Sequence, residues 1–263
     1  MAIQKIQGAQ QQSAISKIVG TADSGISKVN GSAVWAPTDL TGLAMWLKNG
    51  VGITSDGGTP DLVSQWDDSS GNNNHAVQAT AGLQGVVSGG GIDLDGTDNF
   101  YSLSSQVTMS GDHNIVVGVV FLIDSDDHNM ALLSSASNEF LELQSRKILR
   151  INCTGTATNL TDASNIYDAA SGKQLLLVTR LDDDTGTWVF YRNGAVLEGT
   201  WNNETNAGAI DFTAIGVRAG SGDRYFDGKI YEMVVYDLGT GTMDAAGVTN
   251  LNSYLKMVHS IGD

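Results

Sequence analysis

The side chains able to do acid–base or nucleophilic chemistry are few: five glutamates, four histidines and one cysteine in 263 residues. Hydrolysis of a glycosidic bond needs two carboxyl groups facing one cleft, roughly 5 to 9 Å apart. Glu139 and Glu142 are the closest pair, and three residues apart in an extended run they point to opposite faces. Glu198, Glu204 and Glu232 stand alone. His75, His113, His128 and His259 are scattered, with neither zinc-ligand spacing nor a G-x-S-x-G turn, and are assigned to surface or turn positions. Cys153 falls in phase with Leu149 and Ile151 on an alternating run, which makes it a small core residue rather than a catalytic thiol.

Binding chemistry is better supplied. Asp93, Asp95, Asp98 and Asn99 crowd one turn, Asp124, Asp126 and Asp127 a second, and Asp182, Asp183 and Asp184 a third. Loop oxygens of this kind are what calcium takes, and Asp95, Asp98 and Asn99 are the best ligand set, so calcium is the one cofactor the chain offers. The competing account is that Asp and Asn shape turns by bonding backbone amides. A sugar site needs an aromatic face and planar polar groups. WNNETN supplies Trp201, Asn202, Asn203 and Asn206 in one loop, and Asp223, Arg224 and Tyr225 form a second set. Trp46, Trp66 and Trp188 lie in or beside strand patterns and are assigned to the core.

The elements that must position these groups read as strands. Short apolar runs are separated by Gly, Asn, Asp and Ser clusters, with 32 glycines and two prolines in all, and the length suits one large β domain. Asn114 to Asp124, NIVVGVVFLID, is apolar on both faces and therefore central. Lys173 to Asp182 pairs with Thr187 to Gly199, in which Asn193-Gly194 is a strong hairpin signal. Lys229 to Tyr236 is a strand whose alternation puts Ile230, Glu232, Val234 and Tyr236 on one face and Tyr231, Met233 and Val235 on the other; it is central, or bulged near Glu232. Val248, Leu251, Leu255 and Val258 recur at helical spacing, with Thr242 placed to cap and Asp244 in the first turn.

The longest apolar run is too short to span a membrane, and MAIQKIQGAQQQ lacks the apolar core of a signal peptide, so neither insertion nor Sec export is expected. The formal charge is −15, unevenly spread: residues 1–38 carry three lysines against one aspartate, and the rest 11 cations against 28 acids. Nucleic acid would be repelled by such a domain. The leader repeats itself as IQKIQG, ISKIVG and ISKVNG, an I-x-K-[IV]-x-G pattern carried by Ile3, Lys5, Ile15, Lys17, Ile26 and Lys28. Each copy is too small to bury its own apolar groups, which suits an anchor held by a partner; a flexible leader is the other reading.

Three segments together resemble laminin-G-like domains of the concanavalin A-like lectin/glucanase group. Trp66, Asp68, Ser70, Gly71, Asn72, His75 and Ala76 match its W-x-D-x-SG-N-x-x-HA element. Gly91 to Leu103 is similar to its I-x-F-DG-x-x-D-x-[FY] strand and turn, with Leu94 where an aromatic is usual, and Phe226 to Asp237, FDGKIYEMVVYD, is similar to its closing strand. The resemblance covers residues 40–258 and implies an all-β, two-sheet antiparallel sandwich, a concanavalin A-like jelly roll, over residues 39–263 with a C-terminal helix. A glucanase of this group would carry an E-x-D-x-E strand, which this chain lacks, so no enzymatic activity is expected. The leader repeats resemble N-terminal segments of bacteriophage structural proteins. These likenesses imply a virion protein: residues 1–38 join other virion proteins, and the sandwich, a homo-oligomer on the particle surface as head decoration or tail adhesin, binds host glycan weakly through many copies. The alternatives are a polysaccharide-active enzyme or its carbohydrate-binding module, and a cellular adhesin exported without a Sec signal.

Overall fold

The computed structural model describes residues 28–29, 32–33, 35–125, 128–137, 139–145, 147–154, 156–161, 167, 169–181 and 186–262. In chain order the strands are β1 (Lys28–Val29), β2 (Ser32–Ala33), β3 (Leu43–Leu47), β4 (Ile53–Ser55), β5 (Val63–Trp66), β6 (Ala76–Val77), β7 (Val86–Ser88), β8 (Gly91–Asp95), β9 (Tyr101–Met109), β10 (Ile115–Ile123), β11 (Met130–Ser134), β12 (Phe140–Gln144), β13 (Ile148–Cys153), β14 (Thr156–Thr161), β15 (Gln174–Arg180), β16 (Trp188–Arg192), β17 (Ala195–Val196), β18 (Thr200–Asn202), β19 (Ile210–Ile215) and β20 (Asp227–Asp237), followed by helix α1 (Ala245–His259). Of the anchor positions, Ile3, Lys5, Ile15, Lys17 and Ile26 lie outside the described residues, and Lys28 pairs with Ala33 between β1 and β2. Trp35 and Pro37 already belong to the sandwich. The Trp35 ring meets Tyr254 edge-on at 5.7 Å, and the Tyr236 hydroxyl donates to the Pro37 carbonyl at 2.8 Å.

Two antiparallel sheets form the sandwich. One runs β17-β16-β15-β10-β20-β8-β7, with β3 also on β20; the other runs β18-β14-β13-β12-β11-β19-β9-β6-β5-β4. The expected hairpin is present: Asn193 and Gly194 have φ of 50° and 89°, the left-handed pair that a tight two-residue turn demands between β16 and β17. β10 is central and buried on both faces, as its composition requires.

β20 is both central and bulged. Val120 pairs with Glu232 and Phe121 with Ile230, so Tyr231 is the extra residue, and beyond it the parity inverts. Ile230, Met233 and Val235 therefore face the core between the sheets, while Tyr231, Val234 and Tyr236 face outward, correcting the strict alternation expected from sequence. The bulge coincides with a change of neighbour: β8 pairs with residues 227–230 and β3 with residues 233–236. In the gap, the Asn49 amide donates to the Tyr231 carbonyl at 3.2 Å. Gly228 explains the F-x-G start of this strand, since at φ +139° a Cβ would lie 2.2 Å from the Leu122 carbonyl oxygen.

Helix α1 covers the outward face of the smaller sheet, burying Val248, Leu251 and Leu255 against a cluster that includes Trp46, Val120, Leu177 and Tyr236. Gly118 gives it a notch: a Cβ there would sit 2.9 Å from Val234 Cγ2 and 3.1 Å from Leu255 Cδ1. The N-cap is Asp244, which accepts from Gly247 N at 2.7 Å; the helix thus starts two residues later than a Thr242 cap would place it. Under the helix the fully buried Glu232 carboxylate accepts from Trp46 Nε1 and meets His259 Nε2, both at 2.7 Å. Cys153 lies in the core, where burial pushes its thiol up to about 12.

Removing a buried carboxylate leaves the Trp46 indole and the His259 ring without their partner, at about 1 to 3 kcal/mol for each group left unsatisfied. Glu232→Ala is therefore expected to lower stability by that amount in urea unfolding. Val196→Ser, at a half-exposed apolar position, should change it by less than about 0.5 kcal/mol.

Candidate functional site

The WNNETN loop is committed to structure. Trp201 sits on β18 opposite Leu160, and its ring lies 5.1 Å from that of Phe190 at 31°, against the core. Asn203 Nδ2 donates to the Ala157 carbonyl at 3.1 Å and Asn206 Nδ2 to the Thr156 carbonyl at 2.8 Å, while Asn206 Oδ1 accepts from Gly208 N. The amides that looked like sugar-binding groups stitch this segment to β14. The Asn206 carbonyl also accepts from Trp188 Nε1 and from Arg180, a 1% exposed guanidinium whose other partners are the carbonyls of Gly208, Ser110 and His113. Asn202 alone of this set is turned to the outer face of the ten-stranded sheet, opposite Asn159.

The acidic turn is likewise explained from within. Asp95 Oδ1 accepts from the backbone amides of Thr97, Asp98 and Asn99 at 2.9, 3.3 and 3.4 Å, and Asn99 Oδ1 accepts from Asp95 N at 3.3 Å. Nearby, Lys229 Nζ bridges Asp93 and Asp124, each at 3.1 Å. Burial would lower the Lys229 pKa, but the bonds to Asp124 and Asp93 outweigh it and hold the ammonium above its ordinary range. Burial, reinforced by Asp124, Asp93 and Asp95 against the pull of His128, raises the Asp227 carboxyl. Among the described residues no group of three His, Cys, Asp or Glu side chains is placed to hold a metal ion. Asp126, Asp127, Asp182, Asp183 and Asp184 lie outside the described residues.

Three of the five glutamates are similarly occupied. Glu139 accepts from Asp211 N at 2.9 Å and Ser135 Oγ at 3.1 Å, Glu142 is ion-paired to arginines, and Glu232 lies under α1. The motif residue Asp68 is a structural hub, accepting from Trp46 N, Ser70 N, Ser70 Oγ and Asn74 N, while its own amide donates to His75 Nδ1.

What the fold does assemble lies on the ten-stranded sheet's outer face, beneath the segment 217–225 that leads into β20. Ser134 Oγ donates to the Val217 carbonyl at 2.6 Å and accepts from Ala219 N, and Ala131 N donates to the Arg224 carbonyl, so the segment is tied down at both limbs. At one flank Tyr225 and Phe100, ring centroids 6.4 Å apart, wall a hollow of about 340 Å³ with Ser102, Thr213 and Ala214 on its floor. On the same face, β12 and β13 bring up Phe140, Glu142 and Arg150. Of the residues singled out in sequence, Tyr225, Arg224, Asp223, Glu142 and Asn202 reach this face; Phe100, 125 positions from Tyr225 in a different strand context, had no local signal.

No protein-family model and no curated protein matches the chain. Solved structures share its fold. The binding domain of Paraclostridial mosquitocidal protein 1 covers 81% of this chain at a TM-score of 0.54 and 15% identity, and this chain spans about half, 52%, of its length. A Trypanosoma rangeli sialidase in complex with sialic acid covers 95% at a TM-score of 0.54 and 13% identity, with 38% of the sialidase chain matched. At such identities the likeness establishes the sandwich.

Because Asp95 itself organises the acidic turn, Asp95→Ala should cost about 1 kcal/mol of stability, with the same unfolding midpoint under chelator as under added calcium. A midpoint that rises with calcium in the native protein but not in the variant would make the turn a metal site.

Proposed function

We propose that this chain is a surface-displayed glycan-binding sandwich that does no hydrolysis, carried on a bacteriophage or similar particle by its repeated N-terminal segment. The observation that carries the binding reading is the hollow at Tyr225: two aromatic rings stand over a floor bearing the Ser102 and Thr213 hydroxyls, the combination a pyranose needs for a stacked face and hydrogen-bonded edge. The toxin binding domain and the sialidase that share the fold are themselves named for binding and for sugar chemistry, in keeping with this reading. Against hydrolysis stands the occupation of Glu139, Glu142 and Glu232, three of the five glutamates, by internal partners. The particle reading rests on the three leader repeats and on their cationic balance beside a strongly acidic sandwich.

A shallow hollow supports weak single-site affinity, and many copies on one surface convert later contacts into intramolecular ones. On a glycan array the multimerised full chain should bind, Tyr225→Ala should lose up to about tenfold of that signal, in line with about 0.5 to 1.5 kcal/mol for a stacked aromatic, and Trp201→Ala should bind normally while losing stability. Host polysaccharide should release no reducing sugar. Binding unaffected by Tyr225→Ala, or sugar release, would remove this reading. Separately, a chain lacking residues 1–34 should fold with an unchanged circular dichroism spectrum yet no longer co-purify with particles; normal incorporation would rule out the anchor.

A further inference from the structure

Half of the chain's six arginines meet on the outer face of the ten-stranded sheet, in a protein of net charge −15. Glu142 on β12 is fully buried, and its Oε1 accepts from Arg150 Nη1 at 3.3 Å and from Arg224 Nη1. Arg150 and Arg218 both lie over the buried Phe140 ring, at 5.0 and 4.5 Å from its centroid. A ring face steadies guanidinium groups without neutralising them. Two of the three cations therefore share one buried carboxylate, to which Arg218 makes no bond; among the described residues the other acid beside them, Asp223, is exposed and accepts from Ser221 Oγ. Several polar atoms in this cluster are buried and unpartnered: Glu142 Oε2, Arg150 Nε and Arg218 Nε. The side chains of Arg150 and Arg224 still keep 25% and 21% of their surface open.

From this geometry, and resting on the reading of the Tyr225 hollow as a sugar site, we infer that Arg150, Arg218 and Arg224 form a subsite for the carboxylate of an acidic sugar. The cluster and the hollow are parts of one surface: Arg224 precedes Tyr225, and Arg218 stands between Val217 and Ala219, both of which line the hollow. A sugar ring seated at Tyr225 can thus project a ring substituent toward the arginines. Guanidinium forks match planar carboxylates, and the seat already holds one in Glu142. An anion arriving there relieves the repulsion among the three cations, which an internal role for Glu142 alone does not require. The repulsive field of the whole domain disfavours polymers with several sulfates per sugar more than those with one carboxylate per sugar.

The test uses the full chain on three immobilised polymers: a polyuronate, the same polymer with its carboxyl groups reduced to alcohols, and dextran sulfate. Arg218→Gln is the informative variant, because Arg218 makes no bond to Glu142 and its loss leaves that carboxylate paired; Arg218→Lys retains charge without the fork. The native chain should hold the polyuronate about tenfold more tightly than the reduced polymer, the factor expected of one charge-assisted bond. Arg218→Gln should abolish that preference, Arg218→Lys restore part of it, and both should keep the native melting temperature and the native affinity for the reduced polymer. Equal binding of polyuronate and its reduced form, an Arg218→Gln variant that keeps the preference, or tighter binding to dextran sulfate than to polyuronate each overturns the carboxylate subsite. Loss of all binding in Tyr225→Ala alongside any of these leaves the hollow standing, whereas polyuronate binding untouched by Tyr225→Ala overturns the hollow itself.

Discussion

Everything in this sandwich hangs on how Glu232 is satisfied. A carboxylate with no solvent exposure is tolerated only if its oxygens find partners, and here they come from Trp46 on β3 and His259 at the end of α1. The three groups join the first long strand of the sandwich, its last strand and its helix. Glu232 also sits where β20 bulges and exchanges β8 for β3 as neighbour. One buried contact thus sets the register of the smaller sheet and the seat of the helix. It reaches the candidate site as well, since the segment 217–225 is the run-in to β20 and Phe226 N donates to the Gly216 carbonyl at the root of that segment.

Local chemistry that recurs in the sequence at fixed offsets was legible. The Asn193-Gly194 turn, the two-faced β10 and the bulge near Glu232 each follow from a few adjacent residues, because turn dihedrals and strand parity are local properties. The helix cap moved by two residues because Thr242 and Asp244 both have capping side chains, and only docking against the sheet chooses between them. The WNNETN loop shows the limit more plainly. Its amides and indole are indistinguishable by composition from a sugar-binding loop, and it is the position of β14 beside it that spends them on carbonyls. Of the arginine cluster only Arg224, beside Tyr225, was legible in sequence; Arg150 and Arg218 carried no local signal, since β13 and the segment before β20 are 68 residues apart between them and meet through sheet order alone.

The chain houses guanidinium groups in two contrasting ways. Arg180 is buried among backbone carbonyls of two loops and stacked on Trp188 at 5.1 Å, with burial lowering its pKa; its donors are consumed in holding those loops together. Instead, Arg150 and Arg218 lean on the Phe140 ring while Arg150 and Arg224 share the Glu142 carboxylate, so their positive potential faces outward. The same residue type acts as mortar in one place and leaves charge on display in the other, and the difference lies in how many acceptors surround it.

The position of β20 at the centre of the smaller sheet, later in the chain than the three strands it joins, governs how the molecule can be made. A ribosome releases β3, β8 and β10 long before the strand that joins them exists, so this layer cannot close piecemeal during synthesis. In that interval β10, apolar on both faces, waits with one edge unpaired. The acidic surface keeps waiting chains from one another, and the arrival of β20 converts an open intermediate into a closed one in a single late event. Nascent chains that stall before β20 are thus left without the strand that would seal them.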